Sequence, residues 1–504
     1  MTEIFQTYID PTQQVAAIEA RMRKGDLPGA MVDVRKLLTT GPDLRERWAN
    51  VTWIAETIGD TEAALQAARR YFMIDTLNPV AALKVAELIC ETGRVEMALD
   101  VAQSIADQRP GDPAPQFHLG FYSARLGDFA QAVVHYRTAL ASRPDLTFVW
   151  QQLAALKTFT DPADPDLTAM TNLSVRLASA STEIRAPLLY ALGKAYEDLG
   201  DVPRAFSSYS EGSRLMSAER PWDARGFEAA VDEIVRDFDR RLMSAQPPSG
   251  MNTDRPMFLI GAPRSGMALM ERVLTGCDGV GGGDALNFFR LSTLPLGEHR
   301  PSRIDTYAEA AAKAGSPDFW TGFASNYLAF LDERFGFEGR IVDRSLNHTQ
   351  IVGSIRLAFP KAPVAWVRRD PYDVAWSCFR TPFARGNDWK WTLQNTAVYL
   401  HQVDRLHAHW SALLSDDLKT FDYEALVRTP EPVIHALAGH MGVVAGPRAI
   451  NFQDNPRPVD SASLRELRRP ASQDRVGAWR PFEAQMAPFI KAYEGFKASQ
   501  SGGS

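Results

Sequence analysis

Cysteine is scarce. Cys90, Cys277 and Cys378 are three residues in a chain of 504. They lie far apart, one is left over from any pairing, and none has the spacing of metal ligands, which argues against a disulfide scaffold and against a zinc site. Long apolar runs are missing too, since no stretch approaches the ~18 uncharged apolar residues that a membrane span needs. The first residues, MTEIFQTYIDPTQQ, contain no basic segment followed by an apolar run, so no signal peptide is expected and a cytoplasmic protein is. Charge of one sign does not dominate either. The formal net charge is -6, which argues mildly against a nucleic-acid binder and leaves room for a local basic pocket.

What is present is ordinary globular material, 45% hydrophobic and 23% charged, in a chain too long for one core. The first half is periodic. Gly25, Gly59, Gly93 and Gly127 lie 34 residues apart, and Ala30, Ala64, Ala98 and Ala132 keep the same step. Pro79 and Pro113, and Pro110 and Pro144, repeat it again. A helix pair explains this pattern. Each glycine sits at the tight turn, where positive φ or close approach excludes a Cβ, and each alanine lets the second helix pack closely. Each proline closes one unit and starts the next. In the clearest unit Leu119, Gly120, Ala132, Tyr136 and Ala139 take the helix-facing positions. The pattern resembles the tetratricopeptide repeat over roughly residues 15–150. Another unit carries Gly200 and Ala205, and 151–185, with its DPADPD run, reads as a degenerate repeat. Such an array is either plain scaffold or a concave surface for a peptide or protein partner.

Residues 244–256, SAQPPSGMNTDRP, read as a linker. The expected organisation is a helical array over 1–243, that linker, an α/β domain over 257–497 and a flexible tail over 498–504. Beyond the linker, MFLIG, RIVD, APVAWV and LKTFDY look like strands buried on both faces and alternate with helical stretches, which indicates a mainly parallel sheet in three α/β/α layers. The first strand runs into APRSGMALMERVL, a strand–loop–helix junction that aims backbone N–H groups at an anion. It is P-loop-like without being a Walker loop, because GK[ST] is missing and Met267 and Ala268 supply no hydroxyl for magnesium. Further on, APVAWV ends at Arg369, Asp370 and Pro371 start a helix, and Ser377 lies eight residues after Arg369. An arginine and a hydroxyl placed so can converge on one phosphate, although a surface Arg–Asp cap explains the segment equally well.

These two elements, about 105 residues apart, resemble the sulfotransferase superfamily, and with the repeats they resemble its bacterial tetratricopeptide-containing members, similar to the protein-tyrosine branch. FDYEALVRTPE, NPRPVDSAS and RVGAWRPFE look like further landmarks, extending the resemblance over 255–497. The resemblance implies 3′-phosphoadenosine-5′-phosphosulfate as sulfuryl donor and no metal. It implies that Arg264, Ser265, Gly266, Met267 and Ala268 form the loop around the donor's 5′ end, that Arg369 and Ser377 hold the 3′-phosphate, and that Tyr423 lies near the nucleotide. Arg344 stands where the family usually has lysine, and Asp284 where it has a glutamate base. His348 is the competing base, and a structural turn acid is the plain reading of Asp284. Near the C-terminus Arg475 and Ala478 flank Val-Gly where the family has serine and arginine, and Trp479 is expected in the core. The missing loop threonines, together with Arg344 and Asp284, keep a second reading open: a non-catalytic repeat-based adaptor with a degenerate sulfotransferase-like domain.

Overall fold

The computed structural model describes residues 11–245, 248–294, 319–382, 386–459 and 464–501. The described N-terminal part is a helical repeat array. Its pairs are Pro11–Arg23 with Leu27–Thr40, Trp48–Ile58 with Thr61–Phe72, Pro79–Glu91 with Val95–Gln108, and Pro113–Leu126 with Phe129–Ser142. Thr147–Leu156 with Pro165–Arg176 and Thr182–Asp198 with Val202–Glu219 continue it, and Ala224–Asp237 and Arg240–Ala245 follow. The segment expected to be degenerate is a helix pair with a longer connection. Asp164 caps its second helix and, with Asp166, binds Lys157 across the loop.

The periodic residues do what the spacing demands. Gly59 and Gly127 have φ of 90° and 93°, and the other turn glycines are also left-handed. Ala30, Ala64, Ala98, Ala132 and Ala205 are fully buried. An aspartate after the glycine adds a cap that the spacing argument missed. Asp26, Asp60, Asp128 and Asp201 accept from the N–H groups of Gly29, Ala63, Gln131 and Arg204. A Cβ on Gly120 or Gly193 would lie 2.6 Å from the ring of Tyr136 or Tyr209, so these tyrosines need glycine opposite them.

The C-terminal part is built on a five-stranded sheet, parallel throughout, in the order β2-β3-β1-β4-β5. The strands are β1 (Pro256–Gly261), β2 (Val280–Gly282), β3 (Arg340–Asp343), β4 (Val364–Arg368) and β5 (Leu418–Asp422). The central β1 is buried along its whole length, as its apolar run predicts. Two differences from expectation have plain causes. β2 comes from GVGGG, whose glycines carry no strand signal, and it forms only an edge. β5 is the other edge and alternates in burial, so it is not covered on both faces.

The proline-rich segment before β1 is fastened rather than loose. Ser249 is buried, its N–H donates to the Leu357 carbonyl at 2.8 Å and its hydroxyl to that of Ala358 at 2.6 Å. Gln246 and Pro247 lie outside the described residues. Of the expected tail, residues 498–501 belong to the last helix, Ala487–Ser501, and 502–504 lie outside the described residues. Of the two hydrophobic clusters among the described residues, one runs through both parts of the chain and the other lies within the C-terminal part. Tyr209 packs edge-on against Trp376, Phe206 stacks on Phe379, Phe227 on Tyr399, and Phe238 meets Trp410. Among the described residues no helix is long and apolar enough to cross a membrane.

Candidate active site

β1 delivers the chain into a tight loop at its C-terminal end. Arg264 and Gly266 both have positive φ, 69° and 112°, and Gly266 caps the helix Met267–Leu274. The first helical turn leaves backbone N–H groups without intrahelical acceptors, which makes this end attractive to an anion. Two details depart from the sequence picture. The Ser265 N–H donates to the Ala262 carbonyl, and the Ser265 hydroxyl is buried with no hydrogen-bond partner. Gly266 backs onto Tyr423, where an added Cβ would stand 2.8 Å from the ring, so Tyr423 packs directly under the loop.

The second element approaches the first from β4. Asp370 caps the helix Pro371–Phe379 through the N–H groups of Tyr372 and Asp373, with Pro371 in its first turn. Arg369 lies over the Tyr423 ring at 4.4 Å and donates to the carbonyls of Arg264 (3.2 Å) and Arg475 (2.6 Å). Arg264 Nε donates to Ser377 Oγ at 2.8 Å. The two elements therefore meet, but crosswise. Ser377 bonds to Arg264, and Arg369 to the backbone.

Around this junction lies a cavity of about 430 Å³. Arg264, Gly266, Met267, Ala268, Arg344, Arg369, Ser377 and Tyr423 all line it, whereas Ser265, Asp284 and His348 do not. Its described wall holds six arginines against the three carboxylates Asp373, Glu466 and Asp474. The Nε atoms of Arg369 and Arg380 are buried without hydrogen-bond partners, donors that an anionic ligand would satisfy. Burial pushes the Arg264 guanidinium down to about 10, against the pull of Glu466. Burial would raise the Glu466 carboxyl, but Arg475, Arg264 and Arg380 hold it below the usual range. A carboxylate thus sits among the arginines as an internal counter-ion.

Comparison with known proteins gives this arrangement a family. Residues 256–445 match the model of the Sulfotransferase family. They form a sulfotransferase-family domain. An uncharacterized protein of Aquifex aeolicus (strain VF5) is 26% identical over 332 residues, 62% of this chain and 42% of that protein. The chain therefore spans less than half the length of that curated relative. Among solved structures, the sulfotransferase domain of the Synechococcus PCC 7002 olefin synthase is 17% identical, covering 50% of this chain and 98% of its own, with a TM-score of 0.34. Yeast Tom70 is 11% identical, covering 98% and 97%, with a TM-score of 0.23.

The residues expected to handle the acceptor proton stand beside the cavity of the sulfotransferase domain. Asp284, in a left-handed conformation, is bound by Arg344 at 2.5 Å and Arg457 at 3.2 Å. Glu271 binds the same two arginines, at 3.2 Å in the case of Arg457, and accepts the Asp284 N–H at 3.0 Å. Burial would push the Asp284 carboxyl up, but Arg344 and then Arg457 outweigh it and hold the group below the ordinary carboxylate range. That makes it a weak base. His348 is a core residue, 2% exposed, edge-on to Phe258 and Phe289; neither ring nitrogen has a hydrogen-bond partner, and Nε2 lies 3.6 Å from Asp343 Oδ2. Burial, only partly offset by Asp343, pushes its pKa down, and it does not line the cavity.

Sequence reasoning missed several residues of this site. Glu271 and Arg457 complete the Asp284–Arg344 network, and Arg457 lies inside the quoted landmark NPRPVDSAS. Asp460 to Ser463 of that landmark lie outside the described residues. Arg380 lines the cavity three residues beyond Ser377. Arg475, quoted as a departure from the family, turns its side chain to Glu466 at 2.8 Å. Trp479 is half-buried and stacks on Tyr372, and its neighbour Gly477 donates its N–H to Asp373 at 2.7 Å.

Proposed function

We propose that the protein is a sulfotransferase that uses 3′-phosphoadenosine-5′-phosphosulfate and modifies a hydroxyl or amine acceptor on a peptide or protein selected by the repeats. The observation that carries this reading is the arginine-rich cavity, because it joins the loop after β1 to the Arg369–Ser377 segment after β4. Its size suits a nucleotide-sized ligand, typically about 300–1,000 Å³.

In such a transfer the bond from sulfur to the 5′-phosphate oxygen breaks with its electron pair left on the phosphate, a bond from sulfur to the acceptor forms, and the acceptor proton leaves. This chain's residues supply positioning and charge. The helix end at Gly266–Ala268 and Arg264 would hold the donor's 5′ end. Arg369, Ser377 and Tyr423 would hold its adenosine 3′-phosphate side. Arg344 would bring charge from the acceptor side, and Asp284 would take the proton late, once the new bond has acidified it, since a weak base suffices at that stage. Incubating the protein with isotopically labelled donor and cell extract, and following labelled sulfate by mass spectrometry, tests this. Labelled peptide is the expected result, and no transfer to any acceptor contradicts it.

Two observations favour the adaptor reading. Met267 is 4% exposed at the mouth of the loop, in contact with the buried cluster that includes Tyr423, and Asp284 and Arg344 are tied to each other. In that reading the cavity keeps a nucleotide or nothing, and the repeats carry the function.

A further inference from the structure

Arg380 stands in the cavity wall, yet the residue that fixes it belongs to the repeats. Its Nη1 donates to Glu197 Oε1 at 2.8 Å, across 183 positions of sequence. Glu197 lies on the helix Thr182–Asp198. Its second carboxylate oxygen accepts the Tyr209 hydroxyl at 2.8 Å, and Tyr209, on the paired helix Val202–Glu219, is 1% exposed. Tyr209 in turn packs edge-on against Trp376, the residue before Ser377. Both members of the ion pair are shielded, at 14% exposure for Arg380 and 18% for Glu197. The guanidinium is planar, so an acid on one edge fixes the direction of the other edge. Arg380 Nε has no hydrogen-bond partner, and Arg380 follows Ser377 by one helical turn.

We propose that Glu197, supported by Tyr209, is a positioning residue that the repeats contribute to the donor site: it orients Arg380 toward the 3′-phosphate of the bound nucleotide. The inference rests on the donor reading above and adds to it that the array helps to build the nucleotide site, besides any role in selecting an acceptor. An isolated arginine at this place would sample many rotamers, and the two repeat side chains remove that freedom before the ligand arrives.

The test is calorimetric titration of the full chain with adenosine 3′,5′-bisphosphate and, separately, adenosine 5′-monophosphate. Glu197→Gln keeps the shape but loses the charge. It is expected to weaken the bisphosphate about tenfold, the scale of one hydrogen bond to a charged group, and to leave the monophosphate unaffected. In an Arg380→Ala background the same substitution should change nothing further, because the residue it positions is gone. Tyr209→Phe should give a smaller loss of the same selectivity, about threefold, and carries the test if Glu197→Gln does not fold. Equal losses for both nucleotides, or losses that add to Arg380→Ala, would mark a purely structural contact and overturn the proposal. Tighter bisphosphate binding by Glu197→Gln would overturn it as well, since Glu197 would then be a competing counter-ion. If the wild type binds neither nucleotide, the donor reading fails and takes this inference with it. If the wild type binds and Glu197→Gln leaves its preference unchanged, only this inference falls.

Discussion

Asp284 shows how a residue's neighbours decide its chemistry. With Arg344 and Arg457 on its two oxygens, its folded pKa lies below the ordinary value of 3.8. The stabilisation is therefore fully present above about pH 4 and is lost as pH falls through the depressed folded value. Asp284→Asn is expected to lower stability by about 2 kcal/mol at pH 7, the scale of a partly buried charged pair. The gap to wild type should close as thermal melts are carried below about pH 4. A gap that stays constant down to pH 2 would mean that the ion pairs contribute nothing. Met267 and Ala268 invite the opposite kind of change. Placing threonine at both should tighten bisphosphate binding by about 1–3 kcal/mol through two recovered hydroxyl donors. The same substitution should lower stability, because Met267 is part of a buried cluster. Calorimetric titration beside a thermal melt separates the two effects, and unchanged affinity would remove the 5′-phosphate assignment of this loop.

The ends of the repeat helices are one place where the two parts of the chain meet. Arg290 donates to the Ile58 carbonyl, Arg334 to that of Glu91, and Arg468 and the Val459 N–H to that of Arg125. Each carbonyl is at the C-terminal end of the first helix of its pair, where helices leave carbonyls unpaired and favour cations. This gives the turn glycines a second reason. A Cβ on Gly127 would overlap the Arg468 guanidinium, whereas one on Gly93 would meet nothing within 4 Å. Both have positive φ, so Gly93→Ala should cost about 1 kcal/mol for backbone strain alone. Gly127→Ala should cost roughly 2–3 kcal/mol, through the added displacement of Arg468. Equal losses in denaturant melts would show that the contact carries no energy. Such locally determined features were readable in the sequence: the glycine step, the buried alanines, and the helix begun by Asp370 and Pro371. What was not readable depends on distant segments. Glu271 and Arg457 reach Asp284 from 13 and 173 positions away, and nothing in GVGGG signals an edge strand.

For the whole molecule, composition and packing point in different directions around residues 244–256. Residues 244–256 look like a linker because proline, serine and glycine cluster there, yet Ser249 is buried and Trp376, Phe379, Tyr399 and Trp410 are covered by aromatic side chains of the repeats. A fragment of residues 255–504 would uncover these faces. Even half of the roughly 1.5–3 kcal/mol per large apolar side chain sums to about 3–6 kcal/mol, much of a domain's usual stability. The fragment should therefore bind a hydrophobic dye and lack a sharp calorimetric transition, while the full chain melts in one. A cooperative melt of the fragment would show that the sulfotransferase domain has a sufficient core of its own.

On the proposed function, the cavity at the C-terminal ends of β1 and β4 is a site for a 3′-phosphorylated adenosine nucleotide. The most direct measurement is calorimetric titration of the full chain, without divalent cations, with adenosine 3′,5′-bisphosphate and with adenosine 5′-monophosphate, in wild type and Arg369→Ala. Wild type should prefer the bisphosphate, and Arg369→Ala should weaken it by about 1.5–3 kcal/mol, roughly ten- to a hundredfold, with little effect on the monophosphate. No binding of either nucleotide by wild type, or equal losses for both in Arg369→Ala, would contradict it.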